Sequence, residues 1–358
     1  MWFASDNWAG VASEIAESLA TAAVGYQPAY GASEQDRTVE IHFCELFEKE
    51  VEVILVGTGT AANCLALSAF NRPGGVVFCH RESHLIEDEG GAPEFLTGGA
   101  RLAPIDGLAG RIEVDRLRDA INQFDPNFVH RGQPMAVSIT QATELGTVYT
   151  PNETKAIAAV AHEAGLPLHM DGARFANALV HLDVSAAELT WQSGVDVMSF
   201  GATKNGCWCA EAIIFFHPEQ SKPMPFLRKR AAQLFSKSRF MSSQFDAYLT
   251  DSLWIKLARH ANTMASQLAQ EFESLDGIRL AWQPQSNEVF AIMEHPLADQ
   301  LTTAGAKFYP WPPLHLSEHE LSDREGLFRF VTSFATTENH ITDLASAIRV
   351  AVANLDDH

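Results

Sequence analysis

LPLHMDGARFANAL, residues 166–179, is the stretch on which the reading of this chain turns. An apolar run, Leu166–Met170, delivers Asp171, Gly172 and Arg174 into what reads as a helix start. A short strand that is apolar throughout is buried on both faces, the mark of a parallel sheet lying under helices. Ligands of such sheets bind beyond the carboxyl ends of the strands. A carboxylate and a guanidinium at that point are therefore candidates for chemistry. Asp171 as a plain helix N-cap is the competing reading, and it leaves Arg174 unexplained.

The same rhythm runs through the first two-thirds of the chain. Helical patterns are expected at Ser13–Val24, Val39–Glu48, Ala61–Phe70, Val114–Phe124 and Asn152–Ala164. Buried strands are expected at Val53–Val56, Gly75–Cys79, Ala136–Thr140, Pro167–Met170, Val195–Phe200 and Ala212–Phe216. The alternation predicts an α/β fold, a large domain with a mainly parallel sheet covered by helices. Near residue 245 the texture changes. A long helix, about Ser243–Leu275, leads into the short strands EVFAIM and LFRFVTSF around the proline-rich YPWPPLH, and a last helix covers about Glu338–Asn354. Domains are expected at 1–245 and 246–358, the second a smaller α+β unit.

Bulk properties narrow the function. With 25 basic and 45 acidic residues the net charge is −20, which repels phosphate backbones and anionic lipid surfaces. Nucleic acid and membrane partners are thereby disfavoured. Five cysteines at irregular spacing suit neither a disulfide framework nor a metal-ligand pattern. The start, MWFASDNWAG, lacks the basic and apolar regions of a signal peptide, so a cytoplasmic location is expected.

Four groups follow the expected strands. VGTGTAANCL, after VEVILV, offers backbone N–H groups and the hydroxyls of Thr58 and Thr60 around Gly59 as a phosphate cradle. Its Gly57-x-Gly59-x-x-Ala62 spacing, with Glu82 further on, also fits a dinucleotide fingerprint, so an NAD-dependent dehydrogenase is the rival reading. His84, after GVVFC, suits a ring platform or an acid/base group. Asp171 can hold a protonated heterocyclic nitrogen, with Arg174 keeping it ionised. Lys204, in the small-residue turn SFGATKNG, suits a Schiff base. A phosphate cradle, a ring platform, a carboxylate for a ring nitrogen and a Schiff-base lysine together make a pyridoxal phosphate site. A nicotinamide enzyme has no use for the last two.

The chain resembles the low-specificity L-threonine aldolases, pyridoxal-phosphate enzymes of the aspartate-aminotransferase fold (fold type I). The resemblance runs through FASDNWAG, YQPAYGAS, VGTGTAAN, RESHLIEDEGG, TELGTVY, LHMDGARFANAL, SFGATKNG, ARHANTMASQLA and FRFVTSFATT. HMDGAR, with a lysine thirty-three residues after its aspartate, is the most specific piece.

The resemblance implies that Lys204 holds the cofactor, Asp171 its pyridine nitrogen, His84 its ring face, and Gly59 and Thr60 its phosphate. Arg174 would lie by the ring hydroxyl and the substrate carboxylate, with Ser5 and Arg329 as further carboxylate contacts. His130, in DPNFVHRGQ, falls where the family has a histidine near the substrate hydroxyl. Arg239 or Lys237, in SKSRF, would reach a neighbouring subunit's phosphate in a homotetramer built on dimers that share active sites. The implied reaction is cleavage of threonine-type β-hydroxy-α-amino acids to glycine and an aldehyde, with phenylserine cleavage or β-elimination as alternatives. Trp8 and Trp208 add bulk near the places the family uses for substrate, which leaves the aldehyde side chain open.

Overall fold

A computed structural model of the chain describes residues 1–125, 127–314, 316 and 320–356. Pro126 of DPNFVHRGQ and His315 of YPWPPLH lie outside them. The chain divides into two compact units, Val11–Trp254 and Met1–Gly10 with Ile255–His358.

That division differs from the expected one at both ends. The helix Arg239–Leu249 buries Phe245 and Tyr248, and Tyr248 lies 6.4 Å from Trp254 in ring contact, so residues 246–254 belong to the larger unit. At the other end, Phe3 donates to Lys307 O (2.8 Å) and accepts from Val331 N (2.7 Å), which ties the first residues to the smaller unit. The single long helix expected from residue 243 is two helices. Thr250–Ser252, with positive φ at Asp251 and Ser252, separates Arg239–Leu249 from Leu253–Glu273.

The larger unit carries β1 (Glu52–Val56), β2 (Gly75–His80), β3 (Arg101–Ile105), β4 (Gln133–Thr140), β5 (Leu168–Gly172), β6 (Val197–Gly201) and β7 (Glu211–Phe215). They form one sheet in the order β1-β7-β6-β5-β4-β2-β3, parallel except for β7, which is antiparallel to both neighbours. Strands β2, β5, β6 and β7 are buried along their whole length, including the polar residues His80, His169, Asp171, Ser199 and Glu211 that interrupt their apolar runs. On one face Val197, Ile213 and Phe215 pack under Ala62, Leu65 and Ala66 of the helix Gly59–Ser68. On the other, Phe200 meets Phe43, Phe47 and Phe245.

β3, RLAPI, is missing from the expected strands. It is a partly exposed edge strand containing Pro104, a pattern that carries no buried apolar signal. The pairing also disposes of the dinucleotide reading. A dinucleotide-binding βαβ unit sets its first two strands side by side and parallel. Here β1 is an edge strand paired only with antiparallel β7, far from β2.

The smaller unit holds β8 (Ile278–Leu280), β9 (Glu288–Glu294), β10 (Tyr309–Trp311) and β11 (Glu325–Val331), antiparallel in the order β10-β11-β9-β8. Val289, Ala291 and Met293 face its core with Leu268, Phe272, Leu344 and Ile348. Alternation turns Glu288, Phe290 and Ile292 to the opposite face. Among the described residues no helix is long and apolar enough to cross a membrane.

One close approach fixes the carboxyl edge of the larger sheet. A Cβ on Gly201, at the end of β6, would lie 2.7 Å from Ala173 Cα and 2.8 Å from Ala173 O, in the turn after β5. Backbone cannot yield as a side-chain tip can. Gly201→Ala is therefore expected to cost about 1–3 kcal/mol of stability, read as a lower denaturation midpoint at unchanged slope.

Candidate active site

The carboxyl ends of β1, β2, β4, β5 and β6 and the start of β7 lie along one edge of the sheet, because Val56, Glu211 and Gly201 are register partners and Gly172 pairs with Phe200. The loops leaving that edge carry most of the expected site residues.

Thr58 is the N-cap of Gly59–Ser68, its Oγ1 accepting from Ala61 N at 3.1 Å. The N–H groups of Gly59 and Thr60, in the first turn, have no acceptor within the helix. A Cβ on Gly59 would meet nothing within 4 Å, so a ligand has room there. The N–H of Gly57 is taken instead by Gln233 Oε1 at 3.0 Å, and Cys209 Sγ donates to Gly57 O.

Asp171 is not the helix cap. The helix Phe175–Leu182 has Arg174 at its N-cap position without a side-chain capping bond, while Asp171 Oδ1 accepts from Ala173 N at 3.0 Å. Its other oxygen accepts from Asn63 Nδ2 at 2.7 Å. That amide also donates to Glu89 Oε1 at 3.1 Å, and His84 Nδ1 lies 2.9 Å from the same oxygen. Asp171, Asn63, Glu89 and His84 thus form one hydrogen-bonded line. Asn63 reaches Asp171 because β5 alternation turns His169 and Asp171 to the face that Gly59–Ser68 covers.

The supporting groups are equally specific. His169 bridges three strands, its Nδ1 2.9 Å from Ser138 Oγ and its Nε2 3.1 Å from Ser199 Oγ. Burial pushes its pKa down to about 4, so it is a neutral crosslink. The loop after β4 is closed by the Gln141 amide, which donates to Tyr149 O and accepts from Tyr149 N. That loop presents Glu144, whose Oε1 accepts from His84 N (2.7 Å) and Thr140 Oγ1 (2.9 Å). Burial raises Glu144 to about 7.

Lys204 sits in the turn Thr203–Asn205, which is pinned where Asn205 Nδ2 donates to Tyr248 Oη (2.7 Å) and Trp254 O (2.8 Å). Glu211, register partner of Gly201, is raised to about 7 by burial, and the hydrogen bonds of Thr203 and the charge of Lys204 oppose that rise.

His84 is held above the usual histidine range chiefly by its bond to Glu89, against burial, with Asp171 adding to the rise and Lys204 opposing it. Glu89 is buried, which alone would raise it. The donors His84, Thr60 and Asn63 pull it below the usual carboxylate range.

The larger unit thus gathers His84, Asp171, Lys204, Thr58, Gly59 and Thr60, and places buried Arg174 two residues after Gly172. His130 stands apart, exposed and edge-on to Phe128 at 5.2 Å. Arg239 Nη1 donates to Gly25 O. Ser5 and Arg329 belong to the smaller unit. Sequence reasoning missed Asn63, Glu89, Glu144 and Glu211. Asn63 did leave a signal, as the one amide within the buried helical run TAANCLAL.

Residues 3–296 match the model of the beta-eliminating lyase family. The chain belongs to that family. It is 38% identical, over 98% of its length and 97% of the relative's, to the low-specificity L-threonine aldolase of Pseudomonas aeruginosa. The enzyme of the same name from a Pseudomonas sp. is also 38% identical, with 98% of each chain covered. Among solved structures, the threonine aldolase of Leishmania major superposes with a TM-score of 0.89 at 29% identity, covering 98% of this chain and 99% of that one. A putative L-allo-threonine aldolase of Listeria monocytogenes, 18% identical with a TM-score of 0.71 over 94% of this chain and 93% of the other, shares the fold.

The Glu89 bond makes a direct expectation for family member and histidine alike. By NMR titration His84 should show a midpoint above 6.5, and Glu89→Gln should bring it down, because burial then meets less opposition.

Proposed function

We propose that this chain is a pyridoxal-phosphate-dependent aldolase that cleaves L-threonine or L-allo-threonine-type β-hydroxy-α-amino acids to glycine and an aldehyde. The observation that carries the reading is the line Asp171–Asn63–Glu89–His84 in the same loop cluster as Lys204. Its support is the 38% identity with the two Pseudomonas aldolases.

The residues present fit the cofactor. Gly59 and Thr60 offer N–H groups at a helix start with open space beside them, which suits a phosphate. Asp171 is a buried carboxylate for the ring nitrogen, His84 a flat ring, and Lys204 an amine for the carbonyl carbon. Asn63 Oδ1 and Glu144 Oε2 are buried with no hydrogen-bond partner, as in a site built around a polar group. Pyridoxal phosphate, when bound, supplies a carbonyl that condenses with amines and a pyridine ring that takes up the electrons of a breaking bond at Cα.

The protein's part is positioning and proton transfer. Asp171, fixed through both oxygens, keeps the ring nitrogen protonated. Arg174 is the guanidinium of the larger unit that holds the substrate carboxylate and so orients its Cα–Cβ bond. His84 has Nδ1 committed to Glu89, which leaves Nε2 to accept the β-hydroxyl proton. His84 and not His130 takes this role, since His130 has no bond to the cluster among the described residues. Because Glu89 raises the basicity of His84, cleavage should increase with pH until it passes the raised His84 midpoint.

The working form we infer is a cytoplasmic homotetramer, a dimer of dimers with shared sites. Its support is the exposure of Val24, Tyr26, Tyr30 and Ile41, and Arg239 bonded to Gly25 O between Val24 and Tyr26 is the basic group we assign to a neighbouring phosphate.

The visible spectrum tests the cofactor. The protein with pyridoxal phosphate should show a yellow band that borohydride removes, and Lys204→Ala should lack it; a colourless wild type would sink the reading. Asp171→Asn should keep the wild-type melting temperature and lose about 100-fold or more in kcat with L-threonine, and near-normal turnover would refute its ring-nitrogen role.

A further inference from the structure

Glu211 opens β7 at the carboxyl edge of the larger sheet, and its strand partners place it between two parts of the site. Val56, at the end of β1, leads to the Thr58–Thr60 cradle, and Gly201, at the end of β6, leads to the Lys204 turn; both are register partners of Glu211. The ladder also fixes its face. Asp171, Ser199 and Ile213 are successive partners across β5, β6 and β7, so they point to one side of the sheet. Glu211 lies two residues before Ile213 and shares that side with Asp171.

Glu211 is 7% exposed at the head of an otherwise apolar strand, EAIIF. A carboxylate buried there costs stability unless it is paired. Thr203, the residue before Lys204, donates to it from both its side chain and its backbone. The Thr203 hydroxyl also accepts from Ala210 N at 3.3 Å, which leaves its proton for Glu211. Two bonds to the neighbour of Lys204 thus hold the carboxylate at the lysine turn, and Asn205 pins that turn from the other side. The titratable groups around Glu211 differ in charge. Asp171 on β5 adds negative charge, while burial raises the Cys207 and Cys209 thiols and the Tyr248 hydroxyl of the helix Arg239–Leu249 and keeps them neutral. Lys204 brings the positive charge that opposes the effect of burial on Glu211.

We propose that Glu211 is a positioning residue for the lysine nitrogen, its carboxylate keeping a proton on that nitrogen while Lys204 is joined to the cofactor. The inference rests on the assignment of Lys204 as the residue that holds pyridoxal phosphate. A protonated nitrogen draws electrons away from the cofactor carbon bound to it, so the amine of an incoming amino acid adds there more readily. An anion beside the nitrogen favours the protonated form, and Thr203 keeps that anion from turning away. Glu211 acts through Lys204. The bond-breaking step in the substrate is left to other groups.

The colour of the cofactor-loaded protein reports this proton, because the visible band moves when the nitrogen loses it. Glu211→Gln keeps the shape and removes the charge. The pH at which half of the yellow band is lost should fall by about one pH unit or more from the wild-type value. Glu211→Asp, which keeps the charge, should stay closer to wild type. If melting temperatures show that the Gln variant does not fold, Thr203→Ala takes its place; it withdraws one donor from the carboxylate and should lower the midpoint too. An unchanged or raised midpoint in the folded variant overturns the inference and leaves the aldolase reading standing. So does an equal fall in Glu211→Asp and Glu211→Gln, which traces the effect to shape. Yellow colour kept by wild type and variant alike throughout the pH range in which both stay folded overturns it as well. A wild type with no borohydride-sensitive band overturns the assignment of Lys204 and this inference with it.

Discussion

Asn63 gives both protons of its side-chain amide to carboxylates, one to Asp171 and one to Glu89, and the rest of the site is arranged around that double donation. An amide nitrogen between two acid groups requires both oxygens to act as acceptors. Asp171 is thereby oriented from the helix side and Glu89 is free to hold the imidazole of His84. The bond spans 108 residues of sequence. It joins the helix that begins at the phosphate cradle to the strand that carries HMDGAR, so the cradle and the acid group cannot drift apart independently.

The surroundings divide the buried carboxyls into two kinds. Glu89 collects donors and stays low despite burial, whereas Glu144 and Glu211 are pushed to about 7 because burial outweighs their partners. All three adjoin groups expected to meet the cofactor: Glu89 and Glu144 hold His84 at ring and backbone, and Glu211 feels Lys204. Perturbed acid groups gathered at a sheet edge are what a catalytic cluster produces.

Much of this was legible in sequence because buried parallel strands write themselves as apolar runs. Leu168–Gly172 and Val197–Gly201 could be read directly, and with them the positions of Asp171 and Lys204 at strand ends. The exposed edge strand RLAPI could not, because it has neither alternation nor an apolar run. The break at Thr250–Ser252 was hidden by helical spacing on both sides, and only the backbone at Asp251 and Ser252 reveals it. The union of Phe3 with Lys307 and Val331 joins distant parts of the chain, which local pattern does not encode. Asn63 and Glu288 were polar residues in the apolar runs TAANCLAL and EVFAIM. Sequence marks them as exceptions, and only tertiary contacts say which partner each one meets.

The approach of Gly201 to Ala173 has a consequence for how such a protein can diversify. Main chain touches main chain there, so the spacing between the end of β6, which leads into the Lys204 turn, and the turn that follows Asp171 is set in the backbone. Replacing residues around the pocket can change which molecule is admitted without moving those two groups. Substrate range and reaction type are on separate dials, and selection or a protein engineer can turn the first while the second stays put.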